Sequence, residues 1–343
     1  VLVEVDYQLT MGYESRKPRG FLDLINAVDK YTSSPIPHPI QLSPNIFLVS
    51  FPHSDYDALY KLFLPDDPRP HGFMLASTVA NMPWSSEFAI DHGTRTVRLL
   101  KTSDNENTAK ACTNAFQSII DVAIDTDIFP ILHGDHSEMY KILGANYFIC
   151  LERFAAPLFG IATRGAHMNA YVNTSSGMKI WVGRRSPHLF IHPNKLDTTV
   201  AGGIRAEHSP LEYIVAEADE EASLPAAFVR NNARATGTIS YVTKNTKTGL
   251  IHPNVLYTFD IELPPTMIPK PQDDEVSDFY LFSVEEVKQA ILRQEFKPNC
   301  ALVMIDFAIR QGIITPENED NYIEITTRLR RMLPVPTRPQ KRM

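Results

Sequence analysis

Three glutamates, Glu217, Glu220 and Glu221, lie in "SPLEYIVAEADEEASLP", residues 209 to 225. On a helix, residues i, i+3 and i+4 share a face, so the three carboxylates fall within an arc of about 100°. They occupy the C-terminal half, where the backbone carbonyls already direct negative charge outward and an exposed acid costs about 0.3–1 kcal/mol. Like charges at these spacings add a few tenths of a kcal/mol or so per pair. A solvated acidic face is one reading, although Lys or Arg would suit that end better. A hard divalent cation is the other. Mg²⁺ or Mn²⁺ takes oxygen ligands and converts the repulsion into coordination, and such an ion supports hydrolysis of a phosphoanhydride. Glu217, Glu220 and Glu221 are therefore the candidate metal ligands, with Glu217 and Glu220 also assigned to catalysis.

Such a trio needs a helix to carry it. Ser209 is suited to the N-cap, Pro210 to the first turn, and Glu212, three residues after Ser209, completes a capping box. Leu211, Ile214, Val215, Ala218 and Ala222 then recur at helical spacing and predict one apolar stripe against a core, with Pro225 ending the element. Upstream, "LDTTVAGG" predicts a strand that ends at Gly202 and Gly203, where the backbone must turn or approach a ligand closely.

The segment "LDTTVAGGIRAEHSPLEYIVAEADEEASL" resembles the signature of the Nudix hydrolase family, G-x5-E-x7-R-E-U-x-E-E-x-G-U, with U a bulky aliphatic residue. Counted from Gly202, the resemblance sets Glu217 on the Glu after the Arg and Glu220 and Glu221 on the EE pair. His208, Ala216 and Ser223 depart from the pattern, at a Glu, the Arg and the last Gly. Further stretches, among them "AHMNAYV", "MKIWVGRRS", "DDEVSDFYLFSVEEV" and "EFKPNCALVMIDFAIRQGIITPEN", are similar to Nudix proteins carrying an extra N-terminal domain, a unit fused in some fungi to thiamine pyrophosphokinase. The resemblance implies an α/β/α sandwich preceded by a mixed α/β domain. It also implies a pyrophosphatase acting on thiamine diphosphate or its oxidised or damaged forms, releasing the monophosphate and phosphate.

Within this frame Glu275, in the loop "PQDDEVSDFYLF", is a candidate general base or further metal ligand, while loop solvation remains open for it and its neighbours. Lys179, Arg184 and Arg185 are candidates for gripping phosphate, or else solubilising charge at a strand end. Gly202 and Gly203 are candidate substrate-contacting backbone. His208 has two readings, a phosphate or metal partner and a solvent-facing loop residue, and Glu207 beside it is a partial substitute. Trp181 is expected in the sheet core, "HGDH" (residues 133 to 136) in a polar loop, and Cys300 as a small buried apolar side chain at a helix start.

Composition bounds the remaining choices. The chain has 343 residues, 43% of them hydrophobic and 21% charged, and a net charge of −7. Length allows two cores: residues 1–150 as a mixed α/β domain, 151–333 as the Nudix-like domain, and 334–343 as a loose basic tail. Helices are expected in "GFLDLINAVDKY", "SDYDALYKLFL" and "NENTAKACTNAFQSIIDVAIDT", and strands in "NIFLVSF" and "EFAIDHGTRTVRLL". The negative balance argues against a general nucleic-acid binder. Three scattered cysteines argue against a disulfide framework, and with no apolar run of 18 residues a soluble, cytoplasmic protein with a small-molecule diphosphate substrate and no membrane partner is expected. Two other functions remain: a Nudix-fold binding or regulatory protein with weakened catalysis, and an isopentenyl-diphosphate isomerase, for which no cysteine stands in a matching motif.

Overall fold

Along one long central strand, even-numbered residues face one layer of helices and odd-numbered residues another. The computed structural model describes residues 20–29, 40–43, 46–48, 56–101, 107–132, 138–189, 191–245 and 247–340. The first half contains α1 (Phe21–Val28), β1 (Ile40–Ser43), β2 (Ile46–Leu48), β3 (Tyr60–Phe63), β4 (Pro70–Met74), α2 (Ala76–Asn81), β5 (Phe88–Asp91), β6 (Thr96–Leu99) and α3 (Thr108–Asp125). β7 (Met139–Lys141), β8 (Cys150–Glu152) and the short α4 (Ala156–Phe159) lead into β9 (Thr163–Thr174), β10 (Gly177–Arg185), β11 (Leu196–Asp197) and β12 (Val200–Gly203). There follow α5 (Pro210–Ala222), α6 (Ala226–Asn232), β13 (Arg234–Lys244), β14 (Ile251–Glu262), β15 (Val276–Ser283), α7 (Val284–Leu292), α8 (Pro298–Arg310) and α9 (Tyr322–Arg328).

The central mixed sheet runs β11-β10-β9-β14-β13, with β12 on β9 and β15 on β10. β9 and β10 form the expected hairpin, whereas β14 lies parallel to β9. Ala166, Met168, Ala170 and Val172 of β9 pack with Tyr213, Ile214, Ala218 and Ala222 of α5. Behind the sheet, Tyr171 meets Phe307 of α8 with ring centroids 5.9 Å apart, in a layer shared with α7 and α9. Period-2 strands between period-3.6 stripes thus produce an α/β/α sandwich, preceded by the expected mixed α/β region. Trp181 is buried in the core, as expected.

In the first half, a four-stranded sheet of order β4-β3-β6-β5 packs against α3, whose Cys112, Ala115, Phe116, Ile119, Ile120 and Ala123 form a helical stripe. Several expectations are corrected here. "SDYDALYKLFL" is not a helix: Tyr60–Phe63 pair with β4 and β6, because hydrogen bonding to two partner strands outweighs a locally helical apolar spacing. "EFAIDHGTRTVRLL" is two antiparallel strands rather than one. α1 does not join the first-half core. Its Phe21, Leu24, Ile25 and Val28 bury among α7, α8 and α9, and Arg331 pairs with the buried Asp29 at 3.0 Å. The last residues are not wholly loose either, since Val335 is buried with Leu333, Phe73 and Val255 in a cluster joining the two halves. Pro225 ends one helix and starts the unanticipated α6. The "HGDH" stretch, and the flanks of "NIFLVSF", lie outside the described residues.

Candidate functional site

α5 begins as its sequence dictates. The Ser209 side chain accepts from the Glu212 N–H, and the Glu212 carboxylate accepts from the Ser209 N–H at 3.0 Å. At the other end Ser223 adopts the left-handed conformation, with φ 52° and ψ 31°. A non-glycine residue there costs about 1–2 kcal/mol. Its hydroxyl lies 3.0 Å from the Lys270 carbonyl and 3.1 Å from the Gln272 side-chain oxygen, which secures the cap to the loop leading to β15. The missing glycine therefore does not stop the helix from ending where it must.

Between α5, β9, β12, the segment 138–158 and part of the first half lies a cavity of about 790 Å³, lined by Glu217, Glu220, Glu221 and Glu275. Glu220 and Glu275 are exposed, Glu217 is partly buried and Glu221 is buried. The Ala201 N–H donates to Glu221 at 3.3 Å. Burial, followed by the charges of Glu217, Asp197 and Glu275, pushes the Glu221 carboxyl well above its ordinary range. Burial also pushes Glu217 up to about 7, with Glu220 and Glu275 adding to it, while a bond from the Tyr213 hydroxyl and the charge of Arg205 act the other way. Among the described residues neither acid has an ion-pair partner, and two largely buried carboxylates that repel each other would gain from a bound positive ion. Hard oxygen donors of this kind fit Mg²⁺ or Mn²⁺.

Gly202 and Gly203 line the same cavity. A Cβ on Gly202 would come within 2.1 Å of the Tyr213 hydroxyl, and one on Gly203 within 1.5 Å of the Tyr140 hydroxyl. Both glycines are therefore needed to seat two tyrosines beside the acids. Burial pushes the Tyr140 phenol up to about 12, so it remains a neutral hydrogen-bonding group.

The candidate cations divide. Arg185 lines the cavity but is bonded to Asp197 at 3.4 Å and to the Ile191 carbonyl at 3.1 Å. Lys179 and Arg184 are not among the lining residues: Lys179 stands opposite Ser283 on β15, and Arg184 donates to the Asn194 carbonyl and lies over the Tyr280 ring. Period-2 alternation sends neighbours on β10 to opposite faces, which is why Arg184 and Arg185 part company. Arg153, Arg164, Arg205 and Lys297 line the cavity instead. They come from four separate elements, and no local spacing in the chain announces them. His208 and Glu207 do not line it. The His208 ring lies 6.3 Å from that of Tyr213, and its Nδ1 is buried without a partner among the described residues.

Among the described residues, one trio places three metal-type donor atoms within 4.8 Å of one another: the buried His167, Asp197 and Cys300. The three glutamates do not close up to that degree. Cys300 is thus not the plain apolar filler expected, since its thiol donates to Asp197 at 2.6 Å. Proximity makes the trio a metal-capable set, yet Asp197 is already served by Arg185 at 3.4 Å and Lys297 at 3.7 Å. Burial opposes its ionisation, but those two cations, His167 and the thiol hold its carboxyl at about 2. Burial also pushes the His167 imidazole down to about 4. The balance of charge favours a satisfied polar cluster here.

Residues 164–300 match the NUDIX domain family. The chain is 42% identical over 216 residues to the uncharacterized protein YJR142W of Saccharomyces cerevisiae, covering 60% of this chain and 63% of that protein. It is 38% identical over 222 residues to Nudix hydrolase 20, chloroplastic, of Arabidopsis thaliana, covering 64% and 58%. The chain thus spans less than two thirds of the length of these curated relatives. Of solved structures, DR0079 from Deinococcus radiodurans is 18% identical with a TM-score of 0.36, covering 49% of this chain and 98% of that one. The acid-bearing helix and the two glycines before it fall between residues 164 and 300, within the stretch that matches the NUDIX domain family.

Proposed function

We propose that the protein is a metal-dependent pyrophosphatase of the Nudix type, acting on a small molecule that carries a diphosphate. The observation that carries this reading is the pair Glu217 and Glu221: largely buried, mutually repelling carboxylates beside a cavity whose other walls supply arginines. Glu217, Glu220 and Glu221 would hold the ion. A bound divalent cation neutralises phosphoryl charge and acidifies water. Glu275 is the proton acceptor in this reading: water attacks phosphorus, the bridging P–O bond breaks, and the water proton passes to the Glu275 carboxylate, leaving a monophosphate and phosphate. Tyr213 orients Glu217 through its hydroxyl.

The sequence resemblance favours thiamine diphosphate or its oxidised or damaged forms as substrate. Phosphate release from a panel of diphosphates that includes oxidised thiamine diphosphate, with Mg²⁺ or Mn²⁺ and then with EDTA, tests the reading. Metal-dependent release is expected, and none from any diphosphate at either metal would reject it. A second reading, a binding or regulatory protein with weakened catalysis, draws on Ala216 and on the absence of His208 from the cavity wall. Tight binding of a diphosphate without turnover would favour it.

A further inference from the structure

One carboxylate in the cavity wall serves two guanidiniums. Glu138 accepts from Arg153 Nη1 at 3.1 Å through one oxygen and from Arg205 Nε at 3.1 Å through the other. Among the described residues neither guanidinium makes another hydrogen bond, although each has several N–H donors in a rigid fork. The group therefore carries one surplus positive charge and unused donors. All three side chains line the cavity that contains Glu217.

The arrangement is held from outside the ion pairs. The Arg153 N–H donates to the Glu138 carbonyl at 2.9 Å, and the Ala206 N–H donates to the Met139 carbonyl at 2.8 Å. These backbone bonds already join the segments before β7, after β8 and after β12, so the side-chain pairs are not required to bring them together. Arg153 also lies over the rings of Tyr140, at 5.8 Å, and Phe154, at 5.5 Å, which limits where its plane can point. Its side chain remains 40% exposed and that of Arg205 52%, so both are open to a ligand in the cavity.

We propose that Arg153 and Arg205, yoked by Glu138, form the phosphate grip of this cavity, receiving a phosphate group of a diphosphate ester across from the acids of α5. Paired guanidiniums bind a phosphate through charge-assisted, planar hydrogen bonds that a lysine reproduces only in part. Glu138 is a positioning residue that splays the two forks toward one point. Glu138 and Arg153 precede residue 164, so the region before the NUDIX stretch contributes to recognition. This deepens the pyrophosphatase reading and names the groups on which its substrate would rest.

The test uses the full chain with Arg153→Gln, Arg205→Gln and the matching Lys variants. Kinetics with the best diphosphate of the panel and inhibition by inorganic pyrophosphate are the readouts, with thermal unfolding as a check on folding. Each Gln variant should raise KM, and the inhibition constant of pyrophosphate in parallel, by roughly tenfold to a hundredfold, the range for a lost hydrogen bond to a charged group. The Lys variants should recover part of that loss. Glu138→Gln should lower kcat more than it weakens pyrophosphate inhibition, because the cations remain while their aim is lost. Wild-type KM and wild-type inhibition in folded Arg153→Gln and Arg205→Gln proteins would overturn the proposal, as would Gln and Lys variants that lose only thermal stability. If the wild type hydrolyses nothing, pyrophosphate binding followed by calorimetry decides the matter: arginine-dependent binding keeps the grip while hydrolysis is rejected, and arginine-independent binding rejects the grip as well.

Discussion

Glu217→Gln separates the cost of a buried carboxylate from its proposed value as a metal ligand. Burial, which penalises the charged form, pushes the Glu217 carboxyl up to about 7 from an ordinary 4.5. As pH rises past 4.5 the unfolded chain releases this proton while the folded chain keeps it, so folding stability falls until the folded group also ionises near 7 and then levels off. At about 1.4 kcal/mol for each pH unit between those values, the deficit above pH 7 is at most roughly 3.5 kcal/mol, reduced by the solvent reaching its exposed edge. Glutamine has the same shape, retains an oxygen for the Tyr213 hydroxyl, and never has to ionise. In protein stripped with EDTA, Glu217→Gln should therefore be more stable than wild type at pH 8, by several degrees in Tm. The gap should close as pH falls toward 4.5. Adding Mg²⁺ should close most of that gap: a cation bound only to the folded wild type contributes about 2.7 kcal/mol at a hundred times its Kd, and the variant, lacking one ligand, should respond far less. Thermal scans across pH 4.5 to 8, with and without Mg²⁺, provide the measurement. A chelated variant less stable than wild type at pH 8, or one with an undiminished Mg²⁺ response, would refute the reasoning.

Other outcomes follow from the same geometry. Glu221→Gln should lower kcat at least about a hundredfold while leaving far-UV circular dichroism unchanged, because it removes the most buried candidate ligand; near-normal turnover would discard that assignment. Glu275→Gln should reduce kcat with a smaller effect on KM, and loss of the acidic limb of the pH–rate profile would identify it as the base. Gly203→Ala should cost about 1–3 kcal/mol in urea unfolding, since its Cβ would meet the Tyr140 hydroxyl at 1.5 Å; an unchanged midpoint would contradict the packing described. Arg310 pairs with Asp260 and, at 2.8 Å, with the buried Asp306. Arg310→Ala should therefore cost about 3 kcal/mol, mainly by stranding the buried Asp260, since Asp306 keeps Arg330 at 2.6 Å, and a loss under about 1 kcal/mol would show that Asp260 finds another partner.

Local chemistry determined a great deal. The capping box, the apolar stripe and Pro225 specify α5, and the alternation of "AHMNAYV" and "MKIWVGRR" specifies the β9–β10 hairpin, because caps and periodicities act within a few residues. The three glutamates could be named from spacing, since helical geometry alone puts them on one side. What spacing could not supply is burial: Glu221 lies inside, bonded to Ala201, while Glu220 remains exposed, and the packing of α5 on β12 makes that difference. Long-range pairing turned "YKLF" into a strand and carried α1 across to α7, α8 and α9. The same holds for Glu138, Arg153 and Arg205, which are separated in the chain by up to 67 residues and meet through backbone bonds between distant elements. A sequence sets each residue's charge and local backbone preference. Which charges share a cavity, and which are left without a partner in it, depends on contacts between residues remote in the chain, and only the tertiary structure fixes those.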